Sequence, residues 1–523
     1  MAKSDNELDN LSPSFYELER RLRGLLPADL YADVWMTPNS AVLMQAFSHL
    51  RTLRRILYDY LPRQISETLP PPGETHYSWK TGTLMFTDLA GFTPLVAAYT
   101  GGQGKEKGAK ELLQLLNDYF SEMLEIISKS GGNLLEFTGD AVLAEFPESS
   151  RANATLQAVR AGLRMQRAME LFGQVEVNGK IIPFGMRVGI HYGRFVTADI
   201  GTPRRMDQVL LGDTVHETKL AESAGRLGRV CVTKTALAKV EQDLRWEESE
   251  TGRHAFIIDD LTDDELGEYE IAPVRRRLPS MLVTDRSVNG LLQSLNEAVD
   301  LVEPVASYLP STVLNLVVAN AKQRQVPAQV TQLFAMFVNL IGITEYIDEA
   351  TPEEQDSLVN SFSHLFAQVN AQVEIYGGVL KKVTYHLVGS DLIIYFGSPN
   401  AHMDDHIRAA KTALAIRDVV TGFEGPLVHN KKVEITCKIG MSLGLAFVGE
   451  VGARRGRREM NIHGDAVNVA ARLMGLAQPN QILITREAHQ AVGFYFDCED
   501  LGEIALKGKK KKLEVFALKA SLK

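Results

Sequence analysis

The chain has 523 residues, 45% hydrophobic and 23% charged, with a formal net charge of −9. That length exceeds one ordinary core and suggests about three domains; the composition is globular rather than disordered, and the acidic balance argues against a general nucleic-acid binder, which carries a basic surplus. Three isolated cysteines, Cys231, Cys437 and Cys498, form neither a disulfide framework nor a zinc spacing, so a cytoplasmic setting is expected. No apolar run approaches the roughly 20 residues that cross a bilayer, and the opening MAKSDNELDN lacks the basic-then-apolar order of a signal peptide.

In chain order, residues 1–79 read as a helical N-terminal segment with a Pro-rich exit, LPPPGE. TGTLMFTDL is a short apolar run ending on an acidic residue, which suits a buried strand. KELLQLLNDYFSEMLEIISKSGG has helical apolar spacing and stops at a glycine pair. NLLEFTGDAVLAEFP reads as a hairpin about the turn Thr138-Gly139-Asp140. A second amphipathic helix, ANATLQAVRAGLRMQRAMELF, precedes the strand RVGIHYG. The order β-α-β-β-α-β predicts an α+β, ferredoxin-like split βαβ domain, an antiparallel sheet with helices on one face.

The same text then recurs. GGNLLEF at Gly131 matches GGVLKKV at Gly377 at an offset of 246, and MRVGIHYGRFVTADIG at Met186 matches CKIGMSLGLAFVGEVG at Cys437 at 251. LLGDTVHETKLA at Leu210 matches IHGDAVNVAARL at Ile462 at 252, and YLPRQI at Tyr60 echoes YLPSTV at Tyr308. One domain has been duplicated. The copies are placed at 80–272 and 329–520, joined by a helical linker at 273–328.

Two carboxylates carry chemistry in the first copy: Asp88 at the end of a strand, in FTDLAGFT, and Asp140 in the hairpin turn. In a β-α-β-β unit these converge. A pair of acidic oxygens in a glycine-rich setting suits Mg²⁺ or Mn²⁺, which use few carboxylates and leave positions for substrate phosphates. Gly91 then lets backbone N–H groups approach a triphosphate. Three other segments carry no such signal: GGQGKEKG lacks the hydroxyl of a phosphate loop, IDDLTDDELGE lacks calcium-loop spacing, and RRGRR reads as a solvated turn.

FTDLAGF and EFTGDAVLAEF resemble the two metal-binding blocks of the class III adenylyl and guanylyl cyclases, and GDAVNVAARL resembles their transition-state block. The tandem layout is similar to that of the bicarbonate-responsive soluble adenylyl cyclases. The resemblance implies an intramolecular pseudo-dimer with one site between the copies, where ATP becomes cyclic AMP. By resemblance, two Mg²⁺ or Mn²⁺ ions sit on Asp88, Asp140 and the Leu89 backbone carbonyl, and Gly91, Phe92 and Thr93 line the phosphates. Asn468 positions the ribose, Arg472 stabilises the transition state and Lys507 binds triphosphate. Lys382 and Asn461 meet the base; lysine there marks adenylyl cyclases, whereas Asn461 stands where the family has Asp or Thr.

Each copy holds what the other lacks. Asp88 corresponds to Asn339, and Asp140 to Ser390 or His386, depending on where a two-residue insertion falls. Asn468 and Arg472 correspond to His216 and Leu220. One working site and one degenerate pocket, lined by Glu136, Val209, His216 and Lys219, follow. Glu136 would repel bicarbonate, so any regulator there should be a different molecule. The chain is expected to act on ATP as a monomer, without nucleic acid or a transmembrane segment. The alternatives are a guanylyl or other nucleotide cyclase, and a non-catalytic nucleotide-binding regulatory protein.

Overall fold

Two long antiparallel strand pairs form the frame of the protein. The computed structural model describes residues 13–522 apart from 64, 66–68, 101–104, 151, 178, 268, 270–279, 454–455 and 506–511. In the first copy the strands are β1 (His76–Ala90), β2 (Asn133–Thr138), β3 (Ala141–Pro147), β4 (Gly185–Thr202), β5 (Arg205–Leu211), β6 (Val230–Thr233), β7 (Trp246–Glu248) and β8 (His254–Ile257). They make one sheet in the order β2-β3-β1-β4-β6-β8-β7, with β5 added to β4. The expected antiparallel sheet is in fact mixed, because β6 runs parallel to β4. The first copy also starts earlier than residue 80. His76–Lys80 pair with Asp199–Phe195 across β4, a pairing that the polar text HYSWK does not announce.

The second copy repeats this frame with β9 (Gln329–Ile341), β10 (Val379–Tyr385), β11 (Ser390–Phe396), β12 (Thr436–Gly452), β13 (Arg458–His463), β14 (Ile482–Thr485), β15 (Phe496–Ile504) and β16 (Leu513–Ser521). Its order, β10-β11-β9-β12-β14-β16-β15 with β13 on β12, is the same.

Ahead of the first copy lie α1 (Pro13–Leu22), α2 (Ala28–Met36) and α3 (Ser40–Asp59). The Asn39 side chain caps α3 by accepting from the Ala41 and Val42 amides, which have no partner inside the helix. In the first copy, α4 (Phe92–Thr100), α5 (Lys105–Lys129) and α6 (Ala154–Ala168) follow, then α7 (Asp213–Ser223). The linker contributes α8 (Val288–Ala306) and α9 (Ser311–Ala319), and the second copy α10 (Pro352–Ile375), α11 (Asp405–Gly422) and α12 (Asp465–Leu476). The leading segment and linker are one unit: Leu43, Leu50 and Leu57 of α3 share a core with Leu291, Leu295 and Val299 of α8. Arg21 pins α1 to the same helix, 2.6 Å from both Asp300 and Glu303.

The copies interlock around a pseudo-twofold axis. Val196, Ala198 and Ile200 of β4 enter the core of the second copy, while Phe447 and Val451 of β12 enter that of the first. Polar contacts obey the same symmetry. The Gly452 amide donates to Asn117 (3.2 Å), and the Gly201 amide to Ser363 (2.9 Å). The repeated YLP segments cross over as straps. The Tyr60 hydroxyl, ahead of the first copy, donates to Glu450 of the second (2.6 Å); that of Tyr308, ahead of the second, donates to Asp199 of the first (2.9 Å).

Candidate active site

The strand frame brings Asp88 and Asp140 together. Asp88 sits near the end of β1 with its Cα opposite that of Arg187 on β4, and Asp140 occupies the turn between β2 and β3. Burial, then the charge of Asp88, pushes the Asp140 carboxyl up to about 8. The Arg187 guanidinium donates to Asp88 and lies 3.1 Å from Glu222 of α7, which also holds Lys219 at 2.7 Å. Three carboxylates therefore face two cations, and among the described residues Asp140 makes no ion pair, its carboxyl bonding only to its own backbone amide. A shortage of positive charge beside two converging carboxylates is the donor set that a hard divalent cation fits. Leu89, next along β1, buries its side chain in the first core.

The adjacent cleft lies between the copies. Phe92, Thr93 and Asp140 line it from the first copy, and Asn461 and Asn468 from the second; Phe337 and Ile393 are apolar walls. Gly91 has φ +90°, and a Cβ there would stand 2.1 Å from the Pro183 carbonyl oxygen, so no other residue fits this approach to the cleft. Asn468 crosses the interface to donate to the Thr93 hydroxyl at 2.8 Å. Arg472 follows one turn along α12, half-buried, and makes no hydrogen bond or ion pair among the described residues. Its fork of donors is available to a ligand. Lys507 lies outside the described residues.

Lys382 and Asn461 flank the β2 turn. The Asn461 amide donates to the Gly139 carbonyl (2.9 Å), while its oxygen accepts from the Ile462 amide (3.1 Å). The Lys382 ammonium donates to the Phe137 carbonyl and lies 3.1 Å from Glu459. Lys382 faces a second cavity on the axis, which the Tyr60 and Tyr308 straps also line.

The counterpart positions of the other half are filled by the chain itself. Strand pairing sets Val142 opposite Thr87 and Leu392 opposite Val338, which makes Ser390, not His386, the counterpart of Asp140. The insertion is four residues long, Tyr385–Val388, rather than two, because the β10–β11 pairing runs on past the point where β2–β3 turns. It folds onto the positions expected to form the degenerate pocket. His216 bonds to the Leu387 carbonyl (2.9 Å), Asn339 donates to that of Val388 (2.8 Å), and Tyr385 packs on the cluster around Phe86 and Leu143. The other expected pocket residues are also engaged. Glu136 accepts from the Thr138 and Thr384 hydroxyls and faces the axial cavity, Val209 is buried in the second core, and Lys219 turns to Glu222.

Arg187, Glu222, Glu459 and Lys381 were not read from the sequence as site residues. Arg187 and Glu222 reach Asp88 only through strand register and helix packing. Glu459 had one usable signal: it lies two residues before Asn461, hence on the same strand face.

Fold and site together define a nucleotide cyclase domain pair. The family model described as the adenylate and guanylate cyclase catalytic domain matches residues 75–254 and 326–520, and the chain belongs to that family. The family uses divalent metal ions. The chain is 23% identical over 401 residues to adenylate cyclase type 10 of Oryctolagus cuniculus, which covers 75% of this chain but 24% of that protein. It therefore spans about a quarter of the length of that relative. It is 28% identical over 233 residues to the receptor-type guanylate cyclase gcy-23 of Caenorhabditis elegans, covering 44% of this chain and 20% of that one. Among solved structures, a class III adenylyl cyclase-like ATP-binding protein from Pseudomonas aeruginosa shares the fold over 86% of this chain and 93% of its own, with TM-score 0.54 and 13% identity. No described helix is long and apolar enough to cross a membrane.

Proposed function

We propose that this chain is an adenylyl cyclase, converting ATP to 3′,5′-cyclic AMP and pyrophosphate at one site between its copies. One observation carries the reading: Asp140 of the first copy and Asn468 of the second line one interdomain cleft, with Asp88 beside Asp140 and Arg472 one turn beyond Asn468, while their counterparts Asn339, Ser390, His216 and Leu220 cannot form another such set. The type 10 adenylate cyclases among its relatives agree with it.

In this reading the ribose 3′-hydroxyl gives up its proton to solvent and its oxygen bonds to the α-phosphorus. The bond from that phosphorus to the α,β-bridging oxygen breaks, the oxygen leaving on pyrophosphate. Two ions, Mg²⁺ or Mn²⁺, would be held by Asp88, Asp140 and the Leu89 carbonyl, and would supply the Lewis acidity that such a weakly acidic hydroxyl needs. Arg472 offers a planar pair of donors to the charge that develops on the α-phosphoryl oxygens. Asn468 and Thr93, already bonded to each other, would hold the ribose and the phosphates in line. Lys507 adds positive charge at the triphosphate.

Lys382 selects the base. Its ammonium donates to the N1 acceptor of adenine and cannot accept the N1 proton of guanine. The chain works as a monomer, because both halves of the site are in it, and its three free cysteines suit a reducing cytoplasm. Product analysis of the purified chain with ATP or GTP and Mg²⁺ or Mn²⁺ tests the proposal. Cyclic AMP is expected; comparable cyclic GMP would move the reading to a guanylyl cyclase, and no product with either would end it.

A further inference from the structure

A groove outside the cyclase cleft opens between the leading helices and the end of the linker. Its floor is one face of α3, where Met44, Ser48, His49 and Thr52 recur at the spacing of adjacent helical turns. One wall is α2, with Asp29 and Asp33 one turn apart; the other is the segment after α9, with Lys322 and Arg324. The side chains of these four charged residues make no ion pair or hydrogen bond among the described residues. Both walls are held in place. Val34 anchors α2 in the core that α3 and α8 share, and Arg324, at φ +55°, accepts through its carbonyl from Arg458 of β13 (2.7 Å). The groove is therefore preformed, which lowers the ordering cost of binding a small ligand.

His49 sets the chemistry. Its ring lines the groove and is 7% exposed, yet Nε2 has no hydrogen-bond partner among the described residues. A buried nitrogen left in that state is costly and calls for a partner. The Leu25 carbonyl accepts from the imidazole, which puts the ring proton on Nδ1 and a lone pair on Nε2. Burial, with the Lys322 ammonium nearby, holds the ring below its ordinary pKa of 6.5, against the opposite pull of the Leu25 carbonyl and Asp29. Nε2 is therefore an acceptor at neutral pH and takes a donor from a ligand. The charge of Lys322 beside the same ring disfavours a metal ion there.

We propose that this groove is a binding site for a small aliphatic zwitterion of the amino-acid class, distinct from the nucleotide cleft. The ligand's ammonium donates to His49 Nε2 beside the Asp29 and Asp33 carboxylates, and its carboxylate accepts from the Arg324 fork and from Lys322. Leu30 and Met44, which also line the groove, cover the carbon chain between the two ends. Unlike charges on opposite walls select a molecule with two unlike ends over a simple amine or a simple acid. The inference stands apart from the cyclase reading, because no residue of the groove lines the nucleotide cleft.

The test is calorimetric titration of the full chain with L-leucine and with the linear ω-amino acids from glycine to 6-aminohexanoate, whose growing length samples the span between the walls. At least one probe should bind one-to-one with Kd below about 1 mM. Butylamine and butyrate, which carry one end each, should bind about tenfold more weakly or worse. Asp29→Asn and Arg324→Gln should each weaken the best probe about tenfold, the low end for a hydrogen bond to a charged group, because both side chains reach solvent. Binding should also move the nitrogen-15 resonance of His49 Nε2 as it accepts the ammonium, and His49→Phe should abolish binding. If His49→Phe does not fold, the two exposed wall variants decide. Three results each overturn the proposal. One is no binding of any probe at about 10 mM, by heat or by the His49 resonance. The second is a one-ended compound binding as well as the best zwitterion. The third is undiminished affinity in both wall variants.

Discussion

At the scale of single residues, the acidic pair and Arg472 carry opposite halves of the chemistry. Asp88→Asn or Asp140→Asn should leave no detectable turnover with the fold intact, checked by cyclic-nucleotide assay beside circular dichroism; product at saturating Mn²⁺ would contradict the assignment. Arg472→Ala should lower kcat about 10²–10³-fold, the usual cost of one preorganised donor. Arg472→Lys should not restore it, because an ammonium lacks the planar fork.

Asp140 also gives a pH signature. Its carboxyl titrates near 8 in the folded, metal-free chain against 3.8 when exposed, so the folded state binds the extra proton between those values. Stability of the metal-free chain should therefore fall as pH rises through that window, and a divalent ion should restore it by displacing the proton. Calorimetric titration of Mg²⁺ in buffers of different ionisation enthalpy reads the proton released, which should shrink above about pH 8. His191 works in the other direction. Burial lowers its pKa from 6.5 to about 4, so the unfolded chain takes up the proton first. Its contribution, about 3 kcal/mol, is lost as pH falls from 6.5 toward 4, and the melting temperature should drop over that range.

At the scale of elements, the decisive feature is the difference between two hairpins. The turn after β2 stops short and presents Asp140; that after β10 runs four residues further and presents Tyr385–Val388 to its own domain pair. His216 and Asn339 are taken up by these carbonyls, and Glu136 would repel an anion from the cavity that it faces. Bicarbonate titrated at fixed pH should leave activity unchanged, and a several-fold rise would refute this. The straps are a second device at this scale. Tyr60→Phe leaves Glu450 buried with Arg458 and the Val326 amide but without its hydroxyl donor, which should cost about 1–3 kcal/mol. Chemical denaturation reads that loss, and Tyr308→Phe should show a similar loss at Asp199.

At the scale of the whole molecule, the interlocked cores make the pair of copies one unit. Since both halves of the site come from one chain, mixing an Asp140→Asn chain with an Arg472→Ala chain should not restore activity. Restoration would mean that two chains exchange domains or that the site forms between molecules.

The duplication, the split βαβ order and the unequal residue sets of the copies were legible in the sequence. Each depends on local text: alternating apolar runs, glycine turns, and the identity of residues at matched offsets. Asp88 and Asp140 could be named for the same reason, whereas Asn461 and Asn468 were named through the family resemblance. Three matters were decided only by the tertiary structure. The parallel β4–β6 pair joins segments far apart in sequence, and backbone pairing leaves no mark on side-chain pattern. The insertion in the second hairpin is four residues where the sequence suggests two, because where a strand stops depends on which partner still offers hydrogen bonds. Arg187 and Glu222 came to the site through a strand register and a helix contact, and Glu459 through its approach to Lys382 across two strands. Charge acts through space, so their bearing on Lys382 and Asp88 exists only once the sheets have formed.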